Sequence, residues 1–205
     1  MKTRDFVHLQ KKIVPYLSTR LVVRGSYCYL TPIGDTLKGF YFESSAFSPK
    51  HFYVTAFFLP LSVPVSQIHL TFGRRVGANE RWDSDQTGVE AALLDAMQRE
   101  LSFLLELNSP SKLLNALEVF ARGGNPHCSE AFAYALIEAG QISRSIEVLR
   151  YIMTTIDRTV PWQQEILDRV IMIGGLLPTA VEEAKHRLIK WRLESVRALG
   201  LENVG

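Results

Sequence analysis

The chain has 205 residues, 47% apolar and 21% charged, with a formal net charge of +2. A chain of this length hides roughly 70% of its unfolded surface on folding, so a core forms without disulfide or metal staples. High apolar content with low net charge excludes disorder as the main state.

Residues 3–14 (TRDFVHLQKKIV) read as a short amphipathic helix, with Phe6, Val7, Leu9, Ile13 and Val14 on one side and Pro15 as a stop or kink. From Arg20 to Val76 β-branched and aromatic residues dominate. LVVRGSYCYL, LKGFYFESSAF, HFYVTAFFLPL and SQIHLTFGRRV are four strand-like runs separated by turn-rich pieces. Short connectors without intervening helices predict an antiparallel meander. In the last run Gln67, His69 and Thr71 alternate with Ile68, Leu70 and Phe72, the pattern of a strand with one wet face.

Residues 73–88 form a polar, glycine-containing connection. Beyond it helical signals follow at 88–107, 110–122, 126–139, 141–156, 161–173 and 179–199. Thr87 with Glu90, and Thr179 with Glu182, are placed as capping boxes. Ser109-Pro110 and Asn125-Pro126 put a cap before a first-turn proline. Gly123-Gly124, Gly140 and Gly174-Gly175 are expected to end helices. The predicted class is α+β: an N-terminal helix and an antiparallel sheet of about four strands, then a C-terminal array of about six α-helices. The expected division is 1–86 and 87–205, as two regions or as one compact domain.

Residues 131–153, AFAYALIEAGQISRSIEVLRYIM, resemble a tetratricopeptide-type helical pair. Ala133, Leu136, Gly140, Ile146 and Leu149 fall at that repeat's packing and turn positions, with Ser145 where alanine is usual and no closing proline at Asp157. Gly174 follows Gly140 by 34 residues, the repeat's period, but Glu183 takes the place corresponding to Leu149. In layout, a short antiparallel sheet followed by helices, the chain also resembles small bacterial proteins, some of them immunity or accessory proteins of toxin and defence systems. That resemblance implies a cognate protein partner.

Catalytic signatures are sparse. There is no phosphate-binding glycine loop, no G-x-S-x-G and no H-E-x-x-H. His127-Cys128 is the nearest pair of soft ligands, but neighbours on a helix point about 100° apart and chelate poorly. Cys28 and Cys128 therefore read as buried free thiols. No metal or cofactor is expected. The N-terminus carries charges where a secretory leader needs an apolar run, and Tyr53–Val65, the longest apolar stretch, is broken by Pro60 and Pro64. A cytoplasmic protein without a membrane segment is expected.

Charge is uneven: residues 1–80 carry ten Lys/Arg against four Asp/Glu, and 81–205 thirteen against seventeen. The densest candidate surface is Arg74, Arg75, Glu80, Arg81, Trp82 and Asp83, because Arg and Trp are the types that dominate interface hot spots. Trp82 has two readings, a lid folded onto the sheet or a partner anchor. The expected function is a non-catalytic protein-binding protein of the immunity or accessory type. Two alternatives stand beside it. One is an enzyme using His69 and Glu43, with His51, as an acid/base site on the sheet. The other is nucleic-acid association through Lys11, Lys12, Arg20, Arg24, Lys38, Lys50, Arg74 and Arg75.

Overall fold

The computed structural model describes residues 3–77, 81–202 and 204, with side chains from Phe6 onward. The chain is α+β. The N-terminal helix α1 (Thr3–Leu17) precedes β1 (Leu21–Arg24), β2 (Tyr27–Leu30), β3 (Thr36–Ser44), β4 (His51–Pro60), β5 (Gly73–Arg75) and β6 (Trp82–Asp83). Six helices follow: α2 (Val89–Glu106), α3 (Pro110–Ala121), α4 (Pro126–Glu138), α5 (Ile142–Thr155), α6 (Pro161–Leu176) and α7 (Val181–Ala198). Pro15, expected to stop or kink the helix, lies inside the last turn of α1.

The chain forms two compact units. The first holds α1, the sheet and α2. Its strands run in the order β1-β2-β3-β4-β5. LVVRGSYCYL is two strands rather than one: Arg24 pairs with Tyr27 around a tight turn in which Gly25 has φ +60. β5 and β6 share one edge of β4, with Thr55 opposite Arg75 and Phe52 opposite Trp82. Because side chains alternate along a strand, Phe42, Phe52 and Phe58 share one face. Phe6 of α1 lies 6.2 Å from Phe42 and 6.3 Å from Phe52, and Phe103 of α2 lies 6.3 Å from Phe58. Burial of a phenylalanine contributes roughly 1.5–3 kcal/mol, so this aromatic layer fixes both helices on that face.

The fourth strand-like run is strand only at Gly73–Arg75. After Pro60 the chain leaves the sheet, and Pro60–Ile68 belongs to the second unit. One side chain of α7 engages two backbone groups of this segment: Ser195 Oγ donates to the Val63 carbonyl and accepts from the Val65 N–H, each at 3.3 Å. Backbone groups satisfied that way have no need of a ladder.

In the second unit α4 is the central helix. Every residue from Cys128 to Ile137 is buried, and α3, α5, α6 and α7 all pack on it. Asn125 caps α4 by accepting from the His127 N–H at 3.0 Å, as its Asn-Pro signal predicts. Ser109 makes no such cap bond, and the Thr179–Glu182 box does not form, since α7 starts after Ala180 without a side-chain cap. Gly88, at φ +78, rather than a capping Thr87, directly precedes α2. The α4–α5 hairpin turns at Gly140, φ +75. Ser145, in the alanine position of the repeat-like pattern, is fully buried and donates to the Ala133 carbonyl at 2.9 Å. Gly174 does not repeat the role of Gly140, because α6 runs through it to Leu176.

Candidate functional site

Arg74 and Arg75 are adjacent in β5 and so point to opposite faces of the sheet. Arg74 turns to the helix-covered face. It forms an ion pair with Glu100 of α2, its guanidinium 4.1 Å from the centre of the Phe103 ring. Arg75 turns to the other face. Its Nη2 donates to Glu43 at 2.8 Å and its Nη1 to Thr55 Oγ1 at 3.0 Å, and its guanidinium lies 4.5 Å over the Tyr53 ring. A guanidinium held by two hydrogen bonds and a ring has lost its rotamer freedom before any partner arrives.

Around Arg75 this face carries a row of tyrosines. Tyr27 pairs in register with Tyr41, their ring centres 4.7 Å apart, and Tyr29 stacks on Tyr27 at 5.6 Å. Tyr27, Tyr41 and Tyr53 are half-buried, so each keeps part of its ring and hydroxyl in solvent, and exposed Arg24 closes the far end opposite Tyr27. All three β2–β3 hydroxyls stay protonated: burial raises Tyr27, Tyr29 (to about 12) and Tyr41, with the charge of Glu43 adding to the rise at Tyr41. The result is an array of rigid rings with neutral donors, one fixed cation and one acid. It fits recognition by hydrogen bonding and ring contact rather than proton transfer.

The tyrosines were hidden in runs such as FYFES and FYVT, where Phe and Tyr both count as apolar. Their period of two was the available signal: Phe42, Phe52 and Phe58 fall on the helix-covered face and Tyr41 and Tyr53 on the other, where buried Phe57 packs edge-on against Tyr27.

The remaining loop residues sit at the edge of the same strands. Trp82 folds back, its Nε1 donating to the Val76 carbonyl at 2.9 Å, and is half-buried over Gly77. Asp83 accepts from the Asp85 N–H at 3.0 Å and lies 3.7 Å from His51 Nε2. Lys50 and Asp85 pair at 2.6 Å. Arg81 is exposed, and Glu80 lies outside the described residues. Glu43 and His69 are not brought together: Glu43 is engaged by Arg75, while His69 lies beside Phe72, whose ring packs on Phe58 of the helix-covered face.

A second polar cluster lies inside the helical unit. Glu130 is fully buried on α4, accepts two hydrogen bonds from Arg169 of α6 and a third from the Tyr134 hydroxyl at 3.0 Å. Burial, then the adjacent Glu130 charge, holds Tyr134 well above the usual tyrosine range. His127 stacks on Trp162 at 4.9 Å beside this cluster. The carboxylate is closed off from solvent, so the cluster ties α4 to α6 rather than offering a reaction site.

Among the described residues no group of three or more His, Cys, Asp and Glu could hold a metal ion, and no helix is long and apolar enough to cross a membrane. Comparison of the chain with protein-family models, with curated proteins and with solved structures gives no match.

Proposed function

We propose that this chain is a non-catalytic protein-binding protein that docks a cognate protein on the tyrosine face of its sheet, with Arg75 anchoring the β5 end of that face. The single observation behind this reading is the fixing of Arg75 by Glu43, Thr55 and Tyr53 beside half-exposed Tyr27 and Tyr41. Tyrosine and arginine are the residue types enriched at interface hot spots, and pre-ordered side chains lower the entropy cost of association. Asp83, opposite His51, lies at the edge of that surface, and exposed Arg81 adjoins it, whereas Arg74 and Trp82 (opposite Phe52) belong to the helix-covered face. The chain's layout resembles immunity or accessory proteins, which supports a dedicated partner, and its two buried unpaired thiols fit a reducing cytoplasm.

A second reading, single-stranded nucleic acid on the tyrosines, draws on the same rings, since bases stack on aromatics flanked by cations. Charge pairing favours the protein partner: Arg75 is neutralised by Glu43 and Arg74 by Glu100, which leaves less free positive charge for phosphates. Purification of the tagged chain from its source cells at several salt concentrations tests both. A stoichiometric protein retained from low to moderate salt supports the proposal. Nuclease-sensitive material lost steeply with salt contradicts it.

A further inference from the structure

The helical unit holds a groove on a different surface. Ile146, Leu149 and Met153 of α5 face Ile171 and the Gly174–Gly175 pair of α6 across a slot of about 200 Å³. Leu149 is its buried floor, 3.8 Å from where a Cβ on Gly174 would stand, while a Cβ on Gly175 would meet nothing within 4 Å. The slot is therefore open where α6 lacks side chains, and exposed Ile171 continues it outward. From Ile146 to Met153 it runs about 10 Å along α5 at 1.5 Å per residue.

The only charged residue lining it is Arg150. Among the described residues no carboxylate pairs with this guanidinium, unlike Arg144, Arg169 and Arg192 on the same unit. An apolar slot with one unanswered cation is complementary to an apolar chain carrying one anion. We infer that this groove is a binding site for a medium-length alkyl carboxylate, the chain lying over Leu149 and the glycines and the carboxylate accepting from Arg150. The site is separate from the sheet face and does not depend on how that face is used.

Methyl-labelled protein titrated with octanoate and with octan-1-ol provides the test. Octanoate should shift the methyl signals of Ile146, Met153 and Ile171 saturably, and bind about tenfold more tightly than the alcohol. Arg150→Gln should bring octanoate down to the affinity of the alcohol. Gly175→Leu should fill the slot and abolish binding of both, with circular dichroism showing the helices intact. Equal affinity for octanoate and octan-1-ol, no saturable shift, or shifts that survive Gly175→Leu in a folded protein would each overturn the proposal.

Discussion

Arg169 grips Glu130 through two parallel hydrogen bonds, Nε to Oε1 at 2.7 Å and Nη2 to Oε2 at 2.9 Å, inside the helical unit. The carboxylate has no solvent exposure, so its charge depends on that guanidinium and on the Tyr134 hydroxyl. Removing one partner of a buried pair strands the other. Arg169→Leu should therefore lower unfolding stability by about 3–5 kcal/mol, and Tyr134→Phe by about 1.5–3 kcal/mol. Arg169→Lys should recover only part of the loss, because an ammonium cannot supply the bidentate fork. Urea unfolding of the three variants checks the order; an Arg169→Leu variant as stable as the parent would contradict it.

Gln10 presents the opposite case. It is fully buried on α1, and neither its Nε2 nor its Oε1 has a hydrogen-bond partner among the described residues. An unsatisfied buried amide costs about 1–3 kcal/mol relative to an apolar side chain of similar volume. Gln10→Met should raise the melting temperature. A decrease would mean that the amide makes a contact the fold needs.

Burial holds the imidazole of His127 below its ordinary value of 6.5, against the opposing charge of Glu130. The unfolded chain takes up this proton near 6.5, the folded chain only at lower pH. The associated stability is therefore complete above pH 6.5 and is lost as pH falls through 6.5 toward the folded value. One such group contributes at most about 1.4 kcal/mol per pH unit within that window. His127→Gln should flatten the slope of stability against pH between about 7 and 5, whatever it does to absolute stability through the lost Trp162 stack. An unchanged slope would assign the pH dependence elsewhere.

The loop between β5 and β6 depends on Gly77. Its φ of +101 is strained for any other residue, and an added Cβ would stand 2.6 Å from Trp82 Cζ2. Gly77→Ala should cost about 1–3 kcal/mol and displace the indole from its bond to the Val76 carbonyl. A red shift in tryptophan emission that is absent when Trp82 is replaced by Phe would report that displacement.

The helices were legible because their signals are local: proline at the first helical position, asparagine at a cap, glycine at a positive φ. The sheet was legible down to Pro60 except for the tight turn at Gly25, which splits its first run into two paired strands. Beyond it, Ser66–Phe72 has the alternation of a strand, yet the backbone at Val63 and Val65 bonds to Ser195, 130 or more residues away, which no local pattern reports. Gly174-Gly175 resembled a helix end, but neither glycine takes a positive φ and the helix passes through both. Arg75 was legible as a candidate from its neighbours Arg74 and Trp82. Its real surroundings, Glu43, Thr55 and Tyr53, come from β3 and β4 and depend on strand pairing.

The most direct measurement of the central claim compares partner recovery by the parent chain, by Arg75→Ala with Tyr41→Ala, and by Gly175→Leu. Each tagged form is expressed at the same level and the co-purifying proteins are quantified. A stoichiometric partner held by the parent and by Gly175→Leu, and reduced tenfold or more by the sheet-face pair in a folded protein, is the predicted result. Recovery that is undiminished by the loss of Arg75 and Tyr41 would contradict the assignment of this face as the docking surface.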